Sequence, residues 1–291
     1  MRVTQGMISR NFISDIERIN INLAEAGRQM SSGKKLSRLA DSPSGSAELV
    51  YINNRFQNLE TYRSNVNTSS YYLKSAESAL NELNNIFPSI YTLGMQAVSG
   101  TLSSEVRETL AKQLRETRDH VIALGNSQAN GRYLFAGSKT GAAPFELAGG
   151  AVGYLGNDDV ITVPVDDGVE AVQGVSGSAF SAVFSAIDAL TAGLDADDPD
   201  AMKAALEQFS GALNDLQQAR GRIGVSLNLL ENISLTFDAK KTVLSERKSN
   251  IEDAGLLDAT VRVAELKTAL DAALSAGGAI LKQRNLFDIL G

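Results

Sequence analysis

The chain has 291 residues, 27 Lys/Arg against 34 Asp/Glu for a net charge of −7, 43% apolar residues, one histidine, and neither cysteine nor tryptophan. Without cysteine there are no disulfides, thiolate metal sites or cysteine nucleophiles, and a lone histidine, His120, leaves few routes to general acid–base chemistry or imidazole-bound metal near neutral pH. The charge is uneven, with seven Lys/Arg against three Asp/Glu in residues 1–40 and one against eleven in residues 138–200, a pattern that argues against a nucleic-acid surface along the chain.

In chain order, the first segment carries Ile8, Phe12, Ile16, Ile19, Leu23, Ala26 and Met30 at steps of three and four, the mark of an amphipathic helix. Charges interrupt every apolar core between Met1 and Met30, so no cleavable secretory signal is expected, and no run approaches the ~20 apolar residues of a membrane span. A polar stretch from Ser31 to Gly45 breaks the helix, and Ser42–Pro43 supplies the N-cap and first residue of the next. Ile52, Leu59, Val66, Leu73, Leu80 and Phe87 then recur every seventh residue, flanked by Tyr62, Ala76, Leu83 and Ile90. A third stripe, Val106, Leu110, Leu114, Val121 and Leu124, is expected to pack alongside.

Gly131 to Gly177 differs, with β-prone runs at 160–165 and 169–175 separated by turn signals at Gly149–Gly150, Asn157–Asp158 and Asp167–Gly168; it reads as a small inserted antiparallel β domain. Phe180, Phe184, Ile187 and Leu190 mark a helix leading back. The second long series is Met202, Phe209, Leu216, Ile223, Leu230, Phe237, Leu244 and Ile251, with Leu206, Leu213 and Leu227 at the intermediate step. A strict seven-residue seam means one long helix wound against a partner, and about 50 residues span roughly 75 Å. After a break from Asn250 to Gly255 comes the last stripe, Ala259, Val263, Leu266, Leu270, Ala273, Ile280 and Phe287.

The expected fold is mainly α: a long antiparallel helical rod, a coiled-coil bundle formed by the N- and C-terminal parts, with a small inserted β-rich domain. The expected division is residues 1–40 with 255–291 as a paired terminal-helix assembly domain, 41–137 with 178–254 as the helical rod, and 138–177 as the β-rich outer domain. Narrow apolar seams make the end helices marginal alone, so they are expected to be poorly ordered in an isolated monomer. Assembly contacts are expected from Ile8, Phe12, Ile16, Ile19, Leu23, Leu266, Leu270, Ile280 and Phe287.

No chemistry competes with this reading. A calcium loop beginning at Asp195 would need Gly sixth and Glu twelfth, where Asp200 and Leu206 stand; acids there suit a helix N-terminus before Met202. Gly149, Gly150, Gly153 and Gly156 lack the Lys-Ser/Thr of a phosphate loop, and His120 reads as a helix surface or packing residue. The expectation is a non-enzyme without catalytic residues, metal or cofactor.

Three stretches carry a family resemblance: RQMSSGKKLSRLADSPSGSAELV (Arg28 to Val50), NGRYLFAGSKTGAAPF (Asn130 to Phe145) and IEDAGLLDATVRVAELKTALDAALSAGGAILKQRNLFDILG (Ile251 to Gly291). Together they resemble the bacterial flagellin family; taken alone, NGRYLF also fits an ordinary helix C-cap and turn. The opening MRVTQGMISRNFISDI, the ending NLFDIL and the Asp41-Ser42-Pro43 lead-in are more similar to the hook-associated branch than to filament subunits. The resemblance implies a structural, self-assembling motility protein, secreted by the flagellar type III route without a cleaved signal peptide and located in the extracellular flagellum. It implies a ring at the hook–filament junction, contacting the first hook-associated protein and flagellin, and an export chaperone on the C-terminal helix. Neither nucleic acid nor membrane insertion is implied. Filament flagellin and, from another class, a cytoplasmic coiled-coil adaptor stay open as alternatives.

Overall fold

The computed structural model describes the backbone of residues 5–36, 42–99 and 103–289, with side chains between 7 and 279 in those stretches except at residue 8. The chain is mainly α, with long antiparallel helices and a small β-rich insertion. Its elements are α1 (Gln5–Ser32), α2 (Pro43–Val98), α3 (Ser104–Gly125), β1 (Gln128–Ala129), β2 (Arg132–Tyr133), β3 (Phe145–Ala148), β4 (Ala151–Tyr154), β5 (Thr162–Asp166), β6 (Val169–Val172), α4 (Ser178–Ala196), α5 (Pro199–Glu252) and α6 (Leu256–Ile289).

The contacts gather into two compact units, residues 1–57 with 240–291 and residues 58–239. This cuts the chain differently from the sequence breaks near 40 and 255, because α2 and α5 run uninterrupted through both cuts. The β-rich stretch forms no unit of its own.

In the 58–239 unit, α2 and α5 run antiparallel. Arg63 meets Asp238 at 3.5 Å, Arg220 donates to Asn81 at 3.2 Å and Gln217 to Asn84 at 2.9 Å, so numbers fall on one helix as they rise on the other. Between these polar edges the two seven-residue series are buried: Leu59, Val66, Leu73, Leu80 and Phe87 face Phe209, Leu216, Ile223, Leu230 and Phe237. Phe87 and Phe209 meet edge to face at 5.8 Å. Each such side chain contributes about 1.5–3 kcal/mol relative to exposure, so the seam outweighs the polar edge pairs. Leu110, Leu114, Val121 and Leu124 of α3 are buried as expected. Val106 is not: it lies in the first turn, 44% exposed, with its N–H on the N-cap Ser103 hydroxyl.

The insertion is three separate antiparallel hairpins, β1–β2, β3–β4 and β5–β6. Asn130 and Gly131 form the two-residue turn of the first, at φ 48° and 74°, the positive-φ pair that a tight hairpin requires. Isolated hairpins are marginal, and these are stabilised by the helices beneath them. The amide of Asn126, the C-cap of α3, acts as a substitute strand: Nδ2 donates to the Phe145 carbonyl at 2.8 Å and Oδ1 accepts the Phe145 N–H at 3.0 Å. Phe145 enters a cluster with Phe180 and Phe184 of α4 at 5.7 and 5.1 Å, while Phe135 packs against Phe180 at 4.6 Å with the rings tilted by 56°. A Cβ on Gly125 would come within 2.6 Å of the Phe145 ring, so this close approach of helix and strand needs glycine. The β5–β6 hairpin sits on α2 through Asn65, which donates to the Pro164 carbonyl at 2.8 Å, and Tyr62, which reaches Asp167 at 3.3 Å.

By length and composition α4 could cross a membrane, but Phe180, Val183, Phe184, Ile187 and Leu190 are buried among these partners, the pattern of a core helix. The acids that follow each have a local task. Arg115 grips Asp195 with 2.6 and 2.7 Å bonds, Arg107 meets Asp197 at 2.9 Å, and Asp198 Oδ1 accepts the N–H groups of Asp200 and Ala201 at 3.0 Å, capping α5 ahead of Pro199. Asp198→Ala is expected to destabilise this unit by about 1 kcal/mol, read by urea unfolding, because two helix N–H groups lose their acceptor.

Candidate assembly interface

In the unit formed by residues 1–57 and 240–291, α1 and α6 pack against each other. The stripe steps of three and four keep one face of α1 turned to α6, and small residues on α6 let the helices approach. Phe12 lies over Gly277 so closely that a Cβ there would come within 2.2 Å of its ring. Ala26 and Ala259 are buried, at 3% and 5% exposure.

Of the residues expected to make assembly contacts, Phe12, Ile16, Ile19 and Leu23 on α1 and Leu266 and Leu270 on α6 are half-buried. The side chains of Ile8, Ile280 and Phe287 lie outside the described residues. The six that are described therefore have a first task inside the molecule. The more exposed apolar side chains stand off the stripe: Ile13 at 55% and Ile21 at 65% on α1, with Leu257 at 78%, Val261 at 49% and Leu274 at 52% on α6. Sequence periodicity missed them because it registers the dominant seam, and a few extra apolar residues on a polar face leave that period unchanged.

A second feature absent from the sequence reading joins the two breaks. Gly33, at φ 68°, ends α1 in a left-handed conformation that its lack of Cβ permits. Its carbonyl accepts the Ala254 N–H at 2.9 Å, and the Lys35 N–H donates to the Glu252 carbonyl at 2.7 Å, an antiparallel bridge centred on Lys34 and Asp253. The Lys34 ammonium donates to the Glu252 carboxylate, and Lys248 stands 3.9 Å from its other oxygen. Lys248 also donates to Asn53 at 3.2 Å, so α2, α5 and both breaks meet in one clasp. Each break was legible alone; their pairing joins residues about 220 positions apart, which local patterning does not encode.

The hydrogen bond to Glu252, then its charge, hold the Lys34 ammonium above the ordinary lysine value. A raised folded-state pKa gives stabilisation that is complete below the ordinary lysine value and lost as pH rises through the elevated one. The clasp is thus at full strength at neutral pH. Glu252→Gln should speed amide exchange at Lys35 and Ala254 at pH 7; unchanged exchange would show that the backbone bridge alone holds the two breaks.

Hydrogen bonds and ion pairs here build and pin helices, and among the described residues no group of three or more His, Cys, Asp or Glu is placed to hold a metal ion. His120 is exposed, 3.4 Å from Glu82.

Comparison with known proteins agrees with this geometry. Residues 3–140 match the bacterial flagellin N-terminal helical region. The flagellar hook-associated protein 3 of Salmonella typhimurium is 31% identical over 179 residues, 61% of this chain and 56% of that protein, so the chain spans little more than half of that relative's length. The protein of the same name from Escherichia coli is 26% identical over 282 residues, 87% of this chain and 88% of the relative. The crystal structure of Xanthomonas campestris FlgL has the same fold, with a TM-score of 0.62 at 18% identity over 68% of this chain and 99% of that one. Residues 3–140 thus carry the flagellin-type N-terminal helical region, and most of the chain is similar in sequence to a flagellar hook-associated protein 3.

Proposed function

We propose that this protein is a structural subunit of the bacterial flagellum that forms the ring joining the hook-associated zone to the filament, and that it is not an enzyme. The observation that carries the reading is the α1–α6 pair: two chain ends folded on each other, with Ile13, Ile21, Leu257, Val261 and Leu274 still facing solvent. Two relatives named flagellar hook-associated protein 3 point to the junction rather than to the filament. Neighbouring subunits would cover the apolar surface that one chain leaves open, and the area removed from water drives assembly.

Residues 1–40 and 255–291 serve as the assembly domain. Phe12, Ile16, Ile19, Leu23, Leu266 and Leu270 set the helix pairing that presents the outer residues, and with Ile8, Ile280 and Phe287 they form the proposed assembly interface. The partners are further copies in a ring, the first hook-associated protein on one side and flagellin on the other. An export chaperone covers the C-terminal helix before secretion by the flagellar type III route, which delivers the chain outside the cell without signal cleavage. A cysteine-free chain with marginal end helices suits passage through a narrow channel, the ordering entropy being offset on assembly.

Deleting the gene tests this. Cells should keep complete hooks, lack filaments and release flagellin into the medium, with filaments restored by the intact gene in trans. Normal filaments in the deletion strain would overturn the proposal.

A further inference from the structure

We infer that the 58–239 unit carries both halves of a head-to-tail contact between copies of this chain: a socket beside Arg222 and a knob at Leu235. The inference rests on the ring-forming reading above and gives it a lateral surface distinct from the terminal helices.

The socket is a half-open cavity of about 390 Å³ where the end of the hairpin insertion overhangs α2 and α5. Its floor is apolar, from Leu73, Val172, Val175 and Ile223, and its rim carries Arg222, Ser226 and Asp158, whose carboxylate accepts the Ser176 hydroxyl. Leu73 and Ile223 are seam residues whose inner sides pack in the core. A floor of this kind fits one aliphatic side chain with a carboxylate near it.

The same helix carries that combination. Leu235 is 74% exposed. Glu231 stands one turn before it on the same flank, as Arg222 stands one turn before Ser226. At 100° per residue, Glu231 and Arg222 lie on opposite flanks of α5, as do Leu235 and Ser226, so a molecule cannot fill its own socket. Neither Arg222 nor Glu231 forms an ion pair among the described residues. Glu231 therefore offers an unpaired negative charge, and Arg222 an unpaired positive one on a rim whose Asp158 is engaged by Ser176.

The spacings fix the register. With neighbouring copies parallel, placing Glu231 of one against Arg222 of the next brings Leu235 level with Ser226 at the socket. The offset is nine residues, about 13.5 Å along the helix. Knob and socket are different patches, so the contact is heterologous, the type that generates rings or helical arrays rather than closed dimers.

The chain contains no cysteine, which makes the test clean. The purified full-length L235C/S226C variant, concentrated and oxidised, should give a ladder of covalent multimers on a non-reducing gel. L235C or S226C alone should stop at dimer. Within one chain the two thiols sit on opposite flanks and too far apart to bridge. E231R or R222E added to the cysteine pair should cut the ladder at least about tenfold, and E231R/R222E together should restore it, a rescue that a merely structural role would not produce. The same variant in sheared flagella separates the two readings. Protein present in flagella without a ladder in either setting overturns this contact and leaves the junction proposal standing. A ladder in solution from protein absent from flagella supports the contact and overturns the junction. Absence of both overturns both.

Discussion

Phe12→Asp is expected to abolish incorporation into flagella while leaving the 58–239 unit folded. The Phe12 ring lies over Gly277, where it spans the gap between α1 and α6, and the site has no room for a hydrated carboxylate. An aspartate there either carries a charge into a half-buried apolar contact or forces the helices apart, and an unpaired charge in such a place costs several kcal/mol. A helix pair whose seam is stabilised mainly by tertiary packing cannot absorb that loss. The recovery of this chain in flagella should fall at least about tenfold. Far-UV circular dichroism should lose only the share of helix in α1 and α6, and the urea transition of the larger unit should keep its midpoint. Normal motility with Phe12→Asp would refute the pairing role given to this stripe, and loss of the main transition would show that the two units fold as one.

The second large effect is expected at Arg118. Its guanidinium is more than nine-tenths buried beneath the β3–β4 turn, where Nη1 donates to the Gly150 carbonyl at 3.1 Å and to Asp188 Oδ1 at 3.2 Å. The other oxygen of Asp188 accepts the Val152 N–H at 3.0 Å, so one carboxylate on α4 ties α3 to the hairpin. Asp188→Ala leaves the buried guanidinium with only the exposed Asp119 carboxylate, 3.9 Å from Nε, as counter-charge and the Val152 N–H without an acceptor. Breaking one side of such a pair typically costs about 3–5 kcal/mol. In a unit of this size that lowers Tm by roughly 10 °C. Arg118→Met with Asp188→Leu should recover most of the loss, since apolar residues of similar volume leave no charge stranded. Equal destabilisation by Asp188→Ala and by the double variant would show that volume, not charge, dominates the site.

The parts of the fold that were legible are those with a period. The seven-residue series of α2 and α5 is buried through Ile52 to Phe87 and Met202 to Phe237, and Leu244 and Ile251 are half-buried. Ser42–Pro43 does begin a helix, with the Ser42 hydroxyl accepting the Gly45 N–H at 3.2 Å. The turn signals at Gly149–Gly150 and Asp167–Gly168 each close a hairpin. At NGRYLF the helix C-cap comes earlier, at Asn126, and Asn130–Gly131 turns a hairpin beyond it.

What stayed hidden depends on partners distant in sequence. Nothing in the sequence singles out Arg118, because nothing nearby announces Asp188 seventy positions on. Hairpins of two to five residues per strand cannot form a core alone, so the β-prone runs gave the strands but not the helices that support them. At the candidate interface the sequence supplied the seam and missed the outer residues, Ile13, Ile21, Leu257, Val261 and Leu274, whose significance appears only once the seam is paired.

The most direct test of the junction assignment is to shear flagella from the source cells and quantify this chain against the most abundant flagellin by mass spectrometry. The account predicts a trace component, near-stoichiometric with other hook-associated proteins. Abundance as the main filament subunit, or complete absence from flagella, would contradict it.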